Sequence, residues 1–194
     1  MFIVLDGIDG SGTTTHSNLL KGFLETKGFK VHLTQEPSNS EIGILIRKYL
    51  KNPSIPPITD ALLFAADRNL HFHGEIKEKL DQNYIVISDR YIESSIIYQS
   101  LQSDIISIKW VKNINKFVGF PDLTIILDID PKISLARKTQ QALEKFEDTS
   151  FLDEVRALYL KRAKKENYFV INSNDIIEFV QNKIQQIVLQ KLKE

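Results

Sequence analysis

The chain has 194 residues, with 25 Lys plus Arg set against 25 Asp plus Glu and no cysteine; this length suits a single domain spanning 1–194 with a sizeable buried core. The charge balance argues against a dedicated nucleic-acid binder held by a phosphate-neutralising surface, and the lack of cysteine excludes disulfide frameworks and thiolate metal sites and fits a reducing cytosol. No apolar stretch approaches the roughly 18 residues of a membrane span, and Asp6 interrupts the first apolar run, which is unlike a secretory leader, so a cytoplasmic protein with no membrane or nucleic-acid partner is expected.

Phe2-Ile3-Val4-Leu5 reads as a short buried strand, and Leu19, Leu20, Phe23 and Leu24 recur at helical spacing. Between them, Gly7-Ile8-Asp9-Gly10-Ser11-Gly12-Thr13-Thr14 matches the phosphate-loop template G-x-x-x-x-G-K-[ST] at every defined position but one. Thr13 stands where lysine belongs. Strand, glycine loop and helix are the context that gives the motif meaning, and they weigh against a plain glycine-containing βα turn. The glycines let the backbone approach an anion while successive N–H groups and the helix N-terminus direct positive charge at it. Thr14 holds the position whose hydroxyl ligates Mg²⁺. A lysine at 13 would contact the donor phosphates, and its loss is expected to cost about 1.5–3 kcal/mol of binding, or about 10²–10³ in rate if it acts in the transition state.

Further along, 30–34 is a more polar strand ending at Glu36-Pro37, and 58–82 is helical, with Leu62, Leu63, Ala66, Leu70 and Ile76 in period after Pro56-Pro57. Within that helix His71 and His73 are two apart and face different sides, the wrong spacing for a metal pair. Residues 84–88 form the next strand and end at Asp89-Arg90-Tyr91, where an arginine suits a bidentate grip on phosphate. For that tripeptide alone, a structural Arg–Asp pair is the competing reading. Trp110 reads as core or subunit interface. Residues 123–129 form a strand leading to Asp130-Pro131, a cap followed by proline at the first helical position. The polar, weakly periodic segment 138–150 predicts a mobile flap, 168–171 a last strand ending at Asn172-Ser173-Asn174, and 176–192 an amphipathic surface helix. Nearly all-apolar strands alternating with helices predict an α/β fold, a five-stranded parallel sheet with helices on both faces. Function is then expected at the carboxyl ends of the strands.

Asp89-Arg90-Tyr91-Ile92-Glu93-Ser94-Ser95-Ile96-Ile97-Tyr98-Gln99 resembles the D-R-[YH]-x-x-S-x-x-A-Y-Q signature of thymidylate kinases. Four more pieces are similar to that family in order: the glycine loop with Asp9, Thr34-Gln35-Glu36-Pro37, Leu62 to Arg68, and Asp130-Pro131 through Leu135-Ala136-Arg137. Any one is weak, but five in register over about 160 residues are specific. The resemblance implies a P-loop kinase of three-layer architecture that transfers the γ-phosphoryl group of ATP, with Mg²⁺, in line to dTMP, and that forms a homodimer. It implies phosphate and ATP binding by Gly7, Ile8, Asp9, Gly10, Ser11, Gly12, Thr13 and Thr14, with Arg137 over adenine or the donor phosphates. For dTMP it implies Phe64 stacked on thymine, Arg68 at a base carbonyl, Ser95 near the base edge with Ser94 also in the site, Arg90 on the 5′-phosphate, Tyr98 against the sugar, and Asp9 at the 3′-hydroxyl or the acceptor phosphate's metal shell, with Glu36 nearby. The metal would be held by Thr14 with Asp9 or Asp89, and Asp9, Asp89 and Arg90 carry the catalytic roles.

Three departures cluster on one task. Thr13 replaces lysine, Gln35 replaces the family's arginine, and the lid after Arg137 offers only Lys138 and Lys145 as cations. Phosphoryl transfer relies on positioning and electrostatics, so these losses bear on rate. Lys145 swinging in from the flap is the expected repair. Two other readings remain: a kinase for another deoxynucleoside or nucleotide, and a weak or inactive nucleotide-binding relic.

Overall fold

A computed structural model describes residues 1–50, 52, 54–137 and 149–194. Lys138 and Lys145, with the predicted flap up to residue 148, lie outside them. Five parallel strands, β1 (Phe2–Gly7), β2 (Val31–Gln35), β3 (Ile85–Asp89), β4 (Leu123–Asp128) and β5 (Phe169–Asn172), form one sheet in the order β2-β3-β1-β4-β5. Each of the five apolar runs predicted as strands is therefore a strand.

Alternation along β1 shows how the sheet divides its two faces. Ile3 and Leu5 pack with Leu20 and Leu24 of α1 (Thr13–Thr26) and with Val180, Ile184 and Val188 of α9 (Ile177–Lys191). Phe2 and Val4 point the other way, toward Ile92 and Ile96 of α5 (Ile92–Gln102) and toward Val111 of α6 (Ile108–Ile114). Under β4 on that second face, Ile126 meets Leu152, Val155 and Tyr159 of α8 (Thr149–Glu166). A buried leucine or isoleucine contributes about 1.5–3 kcal/mol, so the two apolar layers fix the sheet between helices. The β1–β3 and β1–β4 neighbours place Gly7 beside Leu127 and Leu5 beside Asp89, which brings the strand ends to one rim.

The predicted helix 58–82 divides into α3 (Pro57–His71), a π-helical turn at Phe72–Ile76 and α4 (Lys77–Asp81). Its period is as expected, but only part of the apolar set turns inward: Ile76 is buried and Leu63 half-buried. Leu62 and Leu70 are 48% and 52% exposed, whereas Asp60, Asp67, Arg68 and His71 are buried. Polar side chains turn inward here because protein groups receive them: Asp67 accepts from Ser38 and Ser40, His71 meets Glu36 and Thr34, and Arg68 reaches the wall of a cavity that α3 lines together with α2 (Glu41–Tyr49). The short helix α7 (Pro131–Arg137) starts where Asp130 caps it, its Oδ1 accepting from Lys132 N at 2.8 Å. Ser173 and Asn174 follow β5 and tie it to β4: Ser173 N donates to Asp128 O at 2.8 Å, and Asn174 Oδ1 accepts from Asp130 N at 3.1 Å.

Candidate active site

Between β1 and α1 the glycine loop wraps over the end of the sheet. Gly10 has φ 77°, and a Cβ there would sit 2.8 Å from Ser134 O, so both conformation and space demand glycine. The first-turn N–H groups of α1 have no acceptor within the helix and open, with Gly10, Gly12, Thr13, Thr14 and Thr15, onto a cavity of about 530 Å³. Arg137 crosses its edge, donating to Gly10 O at 3.3 Å and Ser173 O at 3.0 Å. Both partners are neutral carbonyls, so no carboxylate among the described residues takes up the guanidinium charge. His16 forms another wall, 2.8 Å from Gln181 Oε1; burial, aided by the Arg137 charge, holds its pKa below the ordinary value against that hydrogen bond. Gly7, Ile8 and Ser11 do not line this space. Ile8 is buried in the core and its carbonyl accepts from Ser11 N at 3.1 Å, so these three shape the loop from below.

A second cavity, about 310 Å³, lies between the strand ends, α2, α3 and α5. Asp9, Glu36, Phe64, Arg68, Arg90, Ser94, Ser95 and Tyr98 all line it. These are the eight residues that the resemblance assigned to the acceptor nucleotide. Phe64 offers a half-buried ring, while Tyr98 is buried at 6.2 Å and a tilt of 56° from the ring of Phe151. Burial pushes the Tyr98 hydroxyl well above its ordinary pKa, so it stays protonated.

Asp9, Thr14 and Arg90 line both cavities. Arg90 sits in the left-handed region at φ 69°, a conformation costing about 1–3 kcal/mol away from glycine. Its backbone is tied at N to Leu5 O at 2.9 Å and at O to Ser88 Oγ at 2.7 Å. Its side chain donates to Gly7 O at 2.8 Å, to Ser94 Oγ at 3.0 Å and to Asp9 Oδ1. Burial opposes the Arg90 charge, but Asp9 leads the neighbours that overcome it and raise its pKa. Beneath, Asp6 accepts from Ser94 Oγ and Tyr159 OH, each at 2.7 Å. Burial drives the Asp6 carboxyl above its ordinary value, outweighing Arg90 and these hydrogen bonds.

Glu36 and Arg68 form a buried pair, Arg68 Nε donating to Glu36 Oε2 at 2.8 Å. Arg68 also reaches Asn115 Oδ1 at 2.8 Å, Ser95 Oγ at 2.9 Å and Tyr91 O at 3.3 Å. Four partners already hold the guanidinium, so it can meet a ligand only along the edge that faces the cavity. Asn115 of the α6 C-cap and Tyr159 of α8 lie in no motif, and no local signal identifies them. Gln99 ends the recognised signature and could have been singled out: it lines the second cavity at 2% exposure, and its Oε1 has no partner among the described residues. Arg47 of α2 is likewise a lining residue that no motif flagged; it donates to Pro37 O, Ser38 O and Gly43 O.

Thr14 Oγ1 donates to Asp89 Oδ2. The other oxygen, Asp89 Oδ1, is buried and without a hydrogen-bond partner among the described residues. A hydroxyl and one free carboxylate oxygen suit Mg²⁺, which takes one or two carboxylates and completes its shell with water and substrate phosphates. No group of three or more His, Cys, Asp or Glu able to hold a metal by itself occurs among the described residues. Nor, among them, is any helix long and apolar enough to cross a membrane.

The family model described as Thymidylate kinase matches residues 5–184. A protein of Pyrobaculum aerophilum named "Probable thymidylate kinase" is 50% identical over 175 residues, covering 89% of this chain and 88% of its own length. Proteins of the same name from Methanosphaera stadtmanae and Caldivirga maquilingensis are 43% and 39% identical, over 100% of this chain and 100% and 95% of theirs.

Proposed function

The chain belongs to the thymidylate kinase family, a family of dTMP-phosphorylating enzymes, and from that premise we propose that it transfers the γ-phosphoryl group of ATP to dTMP in one in-line step. The observation that carries this reading is the shared wall: Asp9, Thr14 and Arg90 line both cavities, so a phosphate in each would meet there. An acceptor phosphate oxygen attacks the γ-phosphorus, and the bond to the β–γ bridging oxygen breaks to release ADP. Arg90 grips the acceptor phosphate, its planar fork suited to two oxygens. Phe64 stacks on thymine, Arg68 and Gln99 read the base edge, and Tyr98 packs on the sugar. Loop N–H groups and Arg137 hold the donor phosphates. Thr14 and Asp89 would hold Mg²⁺, which when bound would supply charge neutralisation at the phosphates.

Because the lysine position is Thr13, Arg137 is the cation among the described residues that is placed to replace it, and Lys145 remains the proposed second one. The test is ADP formation from ATP and Mg²⁺ with dTMP, dUMP and thymidine, beside Thr13→Lys. Turnover with dTMP preferred supports the reading; turnover in Thr13→Lys alone would establish a relic, and a preference for thymidine would reassign the substrate. We further propose a cytoplasmic homodimer in which the exposed apolar face of α3, Ile58, Leu62 and Leu70, packs against a second copy; sedimentation of Leu62→Asp as a monomer is the expected check.

A further inference from the structure

His71 ends α3 at 3% exposure and lines neither cavity. Its Nδ1 lies 3.2 Å from Glu36 Oε1, while Arg68 occupies Glu36 Oε2. One carboxylate is thus divided between a residue at the cavity wall and a residue behind it. On the far side, His71 Nε2 meets Thr34 Oγ1 of β2 at 2.7 Å, with Glu75 Oε1 at 3.7 Å. Glu75 is in turn 2.8 Å from His32 Nε2, and its side chain is 41% exposed. A chain of polar groups therefore runs from the floor of the acceptor cavity to the surface between β2 and the π turn. Turns of this kind recur at functional positions, and here the turn carries Glu75.

We propose that His71 is a positioning residue for acceptor binding: through Nδ1 it fixes Glu36, and through Glu36 it fixes the edge of Arg68 presented to the nucleotide. The proposal rests on the dTMP reading above. Its chemistry follows from the donor count. An imidazolium has two N–H groups, one for Glu36 and one for Thr34 and Glu75, whereas a neutral ring has one. A neutral ring can keep its Nδ1–H on Glu36 while Nε2 accepts from the Thr34 hydroxyl, so deprotonation removes the positive charge that strengthens the bond to Glu36 and thereby loosens the carboxylate. The charged groups facing the ring are Glu36 after β2, Glu75 in the π turn and Asp67 one turn earlier in α3, with Arg68 beyond Glu36 and His32 beyond Glu75. Burial opposes the imidazolium, but the Glu36 hydrogen bond and the three carboxylates overcome it and raise the His71 pKa above its ordinary value.

The experiment is KM for dTMP and kcat across pH, at saturating ATP, for the wild-type chain, His71→Asn, His71→Phe and Glu75→Gln. In the wild type KM is expected to rise on the alkaline side while kcat changes far less. His71→Asn, whose amide donates from the same place without titrating, should keep a low KM with that rise removed. His71→Phe should raise KM about tenfold or more at every pH, the cost of an unpaired buried charged acceptor. Glu75→Gln should leave the acid-side KM unchanged and move the rise to lower pH, since one carboxylate no longer supports the imidazolium; a parallel NMR titration of the ring should shift the same way. Identical pH profiles in wild type and His71→Asn, or a His71 titration indifferent to Glu75→Gln, would overturn the positioning role. Absence of dTMP turnover in the wild type would instead overturn the functional reading, and the NMR titration would still test the His71–Glu75 coupling.

Discussion

The two cavities are built from different materials. The acceptor side is a lattice of side chains bonded to side chains: Glu36 to Arg68, Arg68 to Asn115 and Ser95, and Arg90 to Asp9 and Ser94. Backbone dominates the donor side, where the glycine loop and the first turn of α1 line the cavity and the carbonyls of Gly10 and Ser173 accept from Arg137. A lattice fixes the shape and charge of what it admits. Backbone N–H groups bind any phosphate that fits, so on the proposed reading selectivity would reside in the first cavity and rate in the second.

Substitutions sharpen or break that division, and the largest effect is expected on stability. Arg68→Met leaves Glu36 Oε2 buried without its guanidinium, with His71 alone on Oε1, which should cost about 3–5 kcal/mol, read from denaturant midpoints; a loss below 1 kcal/mol would mean that the lattice is not structural. Arg137→Ala should lower kcat by about 10²-fold with little change in KM for dTMP, because it touches only the donor side. Lys145→Ala run in parallel apportions that role: an unchanged kcat removes Lys145 from the reaction. Gln99→Leu should raise KM for dTMP about tenfold and leave kcat near wild type, a pattern that would dissolve if both parameters fell together.

The smallest effect is a slope of stability with pH. A group whose pKa is raised by folding stabilises the native state below its unfolded-state value and loses that contribution as pH rises through the folded value. For His71 this window opens at about the ordinary 6.5 and extends upward. The wild-type chain should lose stability across it and His71→Asn should lose less, as measured by urea midpoints at successive pH values.

What was legible in the chain was local. Strand runs, the glycine loop and the Asp89-to-Gln99 signature each announce themselves within a dozen residues, and the parallel sheet brings their ends to one rim. Which face of α3 turns inward was not legible, because a period of 3.6 locates a face without saying whether core or solvent receives it. Leu62 and Leu70 keep the period yet lie exposed, while Asp67 is buried on Ser38 and Ser40 and Arg68 faces the cavity. Partners supplied from afar were equally hidden. Asn115 reaches Arg68 across 47 residues and Tyr159 reaches Asp6 across 153, and no spacing rule connects them. Arg68 itself was read as a donor to the base, yet most of its hydrogen-bonding capacity is committed to protein.

The π turn at Phe72–Ile76 has a consequence for editing the chain. It accommodates one extra residue in what would otherwise be a continuous α-helix from Pro57 to Asp81. Each residue of an α-helix turns the next by about 100°, and the wide turn absorbs that extra step without passing it to the helix beyond. Deleting one position within the turn would close it to ordinary α-helix and leave α4 near its present phase, whereas the same deletion inside α3 would rotate everything after it by that angle. The turn is thus a one-residue buffer: a deletion there is felt locally, at Glu75 beside His71 and His32, and one in α3 is felt as far as Ile76, buried against the sheet.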